Sequence, residues 1–280
     1  MRLVWCLFVA FTVSIAIAAQ QPAPIDAKIP DILTRMRSRD LPTWEQAFDD
    51  MMGLVAREQH QGGGHTSATP LANFFVRHPA QAEPVKLGLI ELLESANDIF
   101  VSVKDPETKS YTENDTEHYA RLINAVASLE DERAIPALVG AMTTGGMARR
   151  GLLKYGDKAL GPILEQLNNQ DALVRSSALQ LGVILLRRKG DPASLKSAAD
   201  VVRSGLIDSS SVVRREAVQE VPCLENRQEF IPILEKISKT DPEKRPGKAL
   251  DGGDEDGFYP VRYDARRALQ DIQNNKTCAP

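Results

Sequence analysis

The chain is poor in aromatic residues and in cysteine. Of its 280 residues, 5% are Phe, Trp or Tyr and three are Cys, whereas 42% are hydrophobic. The apolar residues are therefore mostly Leu, Ala, Val and Ile, a mixture that suits helices packed on helices better than a β-sandwich. No charge of one sign dominates: 34 Lys and Arg against 38 Asp and Glu leave a net charge of −4. This balance gives no reason to expect a nucleic-acid partner.

Common catalytic motifs are also missing. The sequence contains no nucleophile elbow, no Walker loop, no dinucleotide fingerprint and no His-Glu-x-x-His. His60 and His65 flank three glycines at 62–64. They would form a metal site only if a carboxylate joined them, so a polar surface loop is the simpler interpretation. The segment 251–257 resembles a calcium loop but has Gly252 at the first ligand position and no closing Glu. We therefore expect no catalytic residue, no cofactor and no metal, with a His-based metal-dependent hydrolase as one alternative.

No apolar run after residue 20 is long enough to cross a membrane. The beginning of the chain differs, because residues 3–19 carry no charge, follow Met1-Arg2 and end in small residues at 16–19 before two polar glutamines. This pattern predicts a signal peptide over 1–19 and a secreted or periplasmic mature chain with no membrane span. The run is at the lower limit for spanning a bilayer, so a retained anchor is the alternative.

Export changes what the cysteines indicate. Cys6 would leave with the signal peptide, and Cys223 and Cys278 would remain. An even number of cysteines in an oxidising compartment favours a disulfide, which would tie the end of the chain to the preceding helices. Two unpaired thiols are the alternative.

Two short patterns alternate along the chain. Val-Arg-x-x-Ala begins at Val174, Val213 and Val261, with a weaker copy at Ala148. Each copy continues with apolar residues at helical spacing. The second pattern, a Pro followed by apolar residues, opens another amphipathic stretch, because Pro is tolerated in the first turn of a helix. Its copies are Pro136, Pro162 and Pro232, with a degenerate copy at Pro30. The repeating unit is therefore helix, turn, helix, turn.

Start and stop signals support these helices. Thr43 with Gln46 and Asn226 with Glu229 have the spacing of capping pairs, and Asp191 precedes Pro192 as a cap would. Gly156, Gly190 and Gly205 mark stops or turns. In the less regular N-terminal region we predict helices over 29–36, 43–57, 71–77 and 85–103. The predicted organisation is a divergent helical region at 20–110 and a repeat array at 111–280, with an insertion at 239–257.

These alternating motifs resemble HEAT repeats, and most closely the short variety found in bilin-lyase-like HEAT proteins. The resemblance extends over 115–273. It implies an all-α, right-handed solenoid of antiparallel helix pairs. It also implies that the first-helix arginines pair with an Asp of a neighbouring turn, and Asp171 before Arg175 and Asp208 before Arg214 fit that pattern. The alternative is a basic patch for an anionic partner, formed by Arg149, Arg150, Arg175, Arg214 and Arg215.

The resemblance implies a non-catalytic scaffold that binds a protein of unknown identity on the face of its second helices. The exposed polar candidates there are Glu165, Gln166, Lys196, Arg203, Glu235 and Lys236. We expect the repeat positions Val174, Ala178, Val213, Ala217, Val261 and Ala265 to be buried between units. Glu216, Glu220 and Asp264 have the spacing of ordinary solvated charges. A bilin-lyase-like enzyme is the second alternative, although an export signal argues against it.

Overall fold

The computed structural model describes residues 25–61, 70–100, 113–144, 146–245, 258–276 and 278. Within these ranges the chain forms thirteen α-helices and no β-strand, apart from a single bridge between Arg245 and Phe258. The predicted all-α solenoid is therefore the fold. The predicted signal peptide, the glycines at 62–64 with the side chains of His60 and His65, and the acidic part of the insertion at 246–257 lie outside the described residues.

Four helices make up the N-terminal region, and each lies where a helix was predicted. They are α1 (Ile25–Met36), α2 (Leu41–Gln61), α3 (Pro70–Arg77) and α4 (Pro79–Phe100). The predicted Thr43–Gln46 cap is wrong. The Thr43 N–H donates to the Asp40 carboxylate at 3.2 Å, so Asp40 caps α2 from the residue before its first turn.

Nine further helices form the array. First and second helices alternate as α5 (Glu113–Ala127), α6 (Ile135–Gly140), α7 (Gly146–Tyr155), α8 (Asp157–Glu165), α9 (Ala172–Lys189), α10 (Pro192–Gly205), α11 (Ser211–Glu220), α12 (Ile231–Thr240) and α13 (Pro260–Gln273). Each first helix packs against the next first helix along the row α5, α7, α9, α11 and α13. The row begins against the N-terminal region, because α4 packs on both α5 and α6. The right hand of the stack stays a prediction.

Local signals explain most of the helix ends. The predicted helix start at Pro162 is wrong, because α8 begins at Asp157 and Pro162 lies inside it. The Asp191 carboxylate accepts the Ser194 N–H at 2.9 Å and caps α10 as predicted. Gly190 ends α9 with φ at +71°, a left-handed conformation that glycine adopts without steric cost. The Asn226–Glu229 capping pair is wrong, because Asn226 donates to the Glu229 carboxylate and makes no side-chain bond to the backbone of its turn.

Helix α9 is buried on two sides. Ala178, Leu181 and Leu185 belong to a core that extends back to α1, whereas Leu179 and Val183 belong to a second core that extends forward to α13. The predicted apolar face is present, and Leu179, Val183 and Leu186 form a second apolar face. A helix with two apolar faces can pack on two sides. Helix α9 is therefore the wall that the two cores share.

The predicted interior positions are buried with one exception. Val174 is only half-buried, whereas the others are at most 3% exposed: Ala178, Val213, Ala217, Val261 and Ala265. The packing around Ala217 is especially close. A Cβ atom added to Gly205 would lie 2.9 Å from the Ala217 Cβ and would overlap the Leu179 side chain. Helices α10 and α11 can approach this closely only with small residues at both positions.

Replacing Ala217 with Asp should therefore be severe. The new carboxylate would be buried without a partner in space that is already filled, so we expect a loss of about 4 kcal/mol in the free energy of unfolding. Urea unfolding followed by circular dichroism measures the loss. The matched control is Ala193→Asp, because Ala193 is exposed in the first turn of α10, where a negative charge is tolerated. Equal stability of the Ala217→Asp variant and the wild type would refute this register of α11 in the stack.

Candidate functional site

The repeated first-helix arginines form a ladder between units. The Arg175 Nε and Nη2 atoms donate to the two carboxylate oxygens of Asp208 at 2.9 and 2.8 Å. Its Nη1 atom donates to the backbone carbonyls of Asn169 and Gln170. One guanidinium thus joins the turn before its own helix to the turn before the next first helix.

The next arginine repeats this geometry. The Arg214 Nε and Nη2 atoms donate to the two oxygens of Asp241 at 2.7 and 3.1 Å, and its Nη1 atom donates to the Asp208 and Ser209 carbonyls. The Arg262 Nε atom then donates to the Asp241 carbonyl at 2.7 Å. The structural role is as the resemblance implied. The expected partners, Asp171 for Arg175 and Asp208 for Arg214, are wrong, because each Arg pairs with the Asp of the following turn.

The alternative of an open basic patch does not fit this geometry. Besides the two ladder arginines, Arg149 donates to the Gln180 side chain and Arg215 donates to Asp264. Of the five arginines in that hypothesis, only Arg150 is exposed and has no hydrogen bond in the described part of the chain. Four guanidinium groups are thus directed at acceptors of the protein itself.

A polar band crosses the first helices where the sequence predicted solvated charges. The Gln180 Nε2 atom donates to Glu216 at 2.8 Å, and the Gln219 Nε2 atom donates to Asp264 at 3.1 Å. Glu220 and Asp264 are each only 9% exposed, and Glu216 is half-buried. The prediction of ordinary solvated charges is therefore wrong. Their spacing along one helix could not show this, because the burial comes from neighbouring units.

Glu220 is the least satisfied member of this band. Its carboxylate makes no hydrogen bond and no ion pair within the described residues. Burial raises the pKa of Glu220 to about 7, and Glu216 acts in the same direction, while Arg187 opposes them. The pKa of Glu216 is raised as well, chiefly by burial.

A groove lies beside the second helix α10. Its volume is about 460 Å³, between α10 and the segment 224–229. Two predicted binding residues, Lys196 and Arg203, line it. Lys196 is exposed, while Arg203 donates to Asp200 at 2.7 Å and lies 5.0 Å from the ring centre of Phe230. The groove thus combines charged groups with an apolar floor.

The other predicted binding residues lie elsewhere on the second helices. Glu165 is exposed at the end of α8, and Gln166 follows it, half-buried and bonded to Asn169. Glu235 and Lys236 are exposed on α12. None of these four residues lines the groove beside α10. The structure therefore brings together two of the six candidates, and a role for any of them in binding stays a prediction.

A disulfide lies at the edge of the same region. Cys223 and Cys278 are bonded, with their Cα atoms 5.2 Å apart across a sequence separation of 55 residues. Arg227 adds a second tie, because its Nη1 atom donates to the carbonyls of Pro222 and Lys276. The segment after α11 is thus joined to the end of the chain at two points.

A second polar cluster joins the N-terminal region to the array. The His118 Nε2 atom on α5 lies 2.9 Å from Asp49 on α2, and Arg121 pairs with the same carboxylate. Burial and the neighbouring Asp115 raise the pKa of Glu45 beside them. Sequence reasoning missed this cluster, because Asp49 and His118 are 69 positions apart and belong to no motif. The described residues contain no group of His, Cys, Asp and Glu placed to hold a metal ion.

No protein-family model matches the chain, and no curated protein matches it. Among solved structures, an engineered protein is 15% identical with a TM-score of 0.36, covering 89% of this chain and 97% of that one. A designed armadillo repeat protein in complex with a peptide (KR)4 is also 15% identical with a TM-score of 0.36, covering 88% of this chain and 99% of that one. Such scores do not establish kinship, so the description as a HEAT- or armadillo-like solenoid rests on the packing of the helices. No described helix has the length and apolarity that crossing a membrane requires.

The ladder predicts a pH-dependent effect for Asp208→Asn. The hydrogen bonds from Arg175 hold the pKa of Asp208 below its ordinary value of 3.8. The ionised pair therefore contributes stability above pH 3.8, and that contribution is lost as the pH falls through the lowered pKa. We expect the variant to be less stable by about 1–3 kcal/mol at pH 7, with the difference shrinking in acid. Asp200→Asn, at an exposed pair, should change little. A stability difference between variant and wild type that stays constant from pH 7 to below pH 3.8 would contradict the pairing of Asp208 with Arg175.

Glu220→Gln should act in the opposite direction. The raised pKa of Glu220 favours its protonated form in the folded chain, so stability is lost as the pH rises from 4.5 to about 7. The Gln variant avoids this loss and should be more stable than the wild type above pH 7, by on the order of 2 kcal/mol. Thermal melts at pH 4.5 and pH 8 measure the difference. Glu235→Gln on the exposed face is the control, and a Glu220→Gln effect no larger than that control would contradict the account.

Proposed function

We propose that this chain is an exported, non-catalytic repeat scaffold that binds a protein partner on its second helices, centred on the groove beside α10. The observation that carries the proposal is the groove itself. It places the predicted residues Lys196 and Arg203 at the rim of a floor formed by Leu195, Ala199 and Leu224. An apolar floor with a polar rim is the usual composition of a protein-binding surface.

The walls of the groove favour binding because they are preorganised. One wall is the continuous helix α10, which Asp191 caps and which packs against α9 and α11. The other wall is the segment 224–229, which follows the disulfide-bonded Cys223 and is tied by Arg227 to the carbonyls of Pro222 and Lys276. Binding to a fixed surface avoids the entropy cost of ordering a loop when the complex forms.

The enzymatic alternatives have less support. The bilin-lyase-like variety rests on the repeat motifs alone, and a lyase of that kind would meet its substrates on the cytoplasmic side, which export argues against. A metal-dependent hydrolase rests on His60 and His65, whose side chains lie outside the described residues. Neither alternative draws on the groove.

The export part of the proposal makes a chemical prediction. The supporting observations are the uncharged stretch at 3–19 and a pair of cysteines close enough to bond. Protein purified from its native cells should begin near Gln20 by mass spectrometry. After unfolding without reductant, it should show no reactive thiol. An N-terminus at Met1 together with free thiols at Cys223 and Cys278 would contradict export into an oxidising compartment.

The binding part is tested by capture of proteins from an extract of the native cells. The proteins retained by the immobilised wild-type chain are compared with those retained by each variant chain. The double variant Lys196→Glu, Arg203→Glu changes the rim of the groove, and Lys236→Glu, Lys239→Glu is the charge-matched change at exposed positions of α12. We expect one protein to be enriched by the wild type and by the α12 variant but lost with the groove variant. Equal retention by both variants would place the binding surface elsewhere.

A further inference from the structure

We propose that the partner of this groove is an extended acidic segment, which inserts one apolar side chain into a pocket beside α9 and places a carboxylate between Arg187 and Lys196. The inference rests on the proposed function and adds the chemistry of the partner. A second cavity joins the groove.

This second cavity is a small pocket of about 230 Å³. It shares Arg187, Leu195 and Glu225 with the groove, so the two form one continuous depression. Besides Leu195, the apolar residues that line it are Leu153, Ile184 and Cys223. An apolar cavity of roughly 150 Å³ is enough to take up benzene, so this pocket has room for a Leu or Phe side chain.

Three of the four cations that line the depression have no ion-pair partner among the described residues, in contrast to the arginines of the ladder. Arg187, Arg188 and Lys196 form no ion pair in the part of the chain that is described, whereas Arg203 is already paired with Asp200 and Glu229. Arg188 and Lys196 are exposed, and Arg187 is half-buried, so all three retain access to a ligand. These three cations lie at the end of the depression where α9 ends and α10 begins.

The acidic groups around the depression do not cancel this charge. Asp200 and Glu229 are occupied by Arg203, which leaves Glu225 as the unpaired carboxylate of the lining. Glu220 is near Arg187 but forms no ion pair with it, and burial favours its neutral form. The basic end therefore keeps an excess of positive charge.

Two unpaired cations of the lining define where a carboxylate would bind. Arg187 and Lys196 both line the groove, whereas the N-terminal end of α10 is already capped by the Asp191 carboxylate. A carboxylate between them would accept charge-assisted hydrogen bonds from both. An adjacent apolar residue would then reach the pocket. The complementary segment is therefore acidic with an apolar anchor, and a basic segment would be repelled.

Fluorescence anisotropy with four labelled peptides and the full chain tests the inference. The peptides are Glu-Glu-Leu-Glu-Glu, Gln-Gln-Leu-Gln-Gln, Lys-Lys-Leu-Lys-Lys and Glu-Glu-Ser-Glu-Glu. The first should bind most tightly, about tenfold more tightly than the neutral or the Ser peptide, and its affinity should fall as salt rises. The double variant Arg187→Glu, Lys196→Glu should lose this preference. Arg266→Glu, an exposed reversal on α13, should retain it.

The outcomes separate this inference from the proposed function. Tighter binding of the Lys peptide, no binding of the acidic peptide, or an unchanged affinity in the Arg187→Glu, Lys196→Glu variant overturns the acidic partner. A further outcome also overturns the acidic partner: the neutral Leu peptide binds as tightly as the acidic peptide, and Leu195→Arg abolishes its binding. In that case the groove remains a binding site. The binding part of the proposed function fails if capture is indifferent to the groove variant, whatever the peptides do. Circular dichroism of each variant shows whether it remains folded.

Discussion

The structure depends on one constraint, which is that a single helix pair cannot bury its own apolar surface. Each first helix must therefore lie between two others, and α9 shows the consequence most fully. It gives Ala178 and Leu181 to one core and Leu179 and Val183 to the other. Both cores lose a wall if α9 moves. The remaining helices are placed relative to this one, including α10, on which the groove lies.

Polar contacts then fix the units at the edges of the stack. Arg175 and Arg214 each span from one inter-unit turn to the next, with four hydrogen bonds apiece. A guanidinium suits this position, because its planar donors can meet a carboxylate and two carbonyls at once. At the far end, the disulfide between Cys223 and Cys278 serves a similar purpose covalently. Of these ties, the disulfide lies beside the groove, because Cys223 directly precedes the wall at 224–229.

Much of the fold could be predicted from the sequence because it depends on local signals. Pro136, Pro192 and Pro232 mark the starts of second helices, because a helix start is a property of a short segment. The Val-Arg-x-x-Ala copies likewise mark first helices through their amphipathic spacing. Pro162 is the exception, because it lies inside α8. The correct partner of Arg175 was not predictable in the same way. Asp208 lies 33 residues away, and the register between neighbouring units decides which turn each arginine meets.

The candidate site was predicted less completely, for the same reason. Lys196 and Arg203 were identified as exposed residues of a second helix, but the pocket beside them is formed by residues from α7, α9, α10 and the turn after α11. Glu220 illustrates the limit most clearly. Within α11 it has the spacing of a surface charge, yet neighbouring helices leave it 9% exposed. Burial is a property of the assembled stack, and one helix pattern does not contain it.

The central claim is that α9 couples the two cores into one cooperative unit. Trp44 is buried in the first core and Phe230 in the second. Trp44 can therefore report on the first core when the second core is changed at Phe230. Trp5 lies in the predicted signal peptide, so Trp44 is the one tryptophan of a chain that begins at Gln20. Urea unfolding of that chain is followed by Trp44 fluorescence and by circular dichroism. Phe230→Ala should destabilise the chain by about 3–5 kcal/mol, and both signals should shift together. An unshifted Trp44 transition beside a two-step circular dichroism curve would contradict the account.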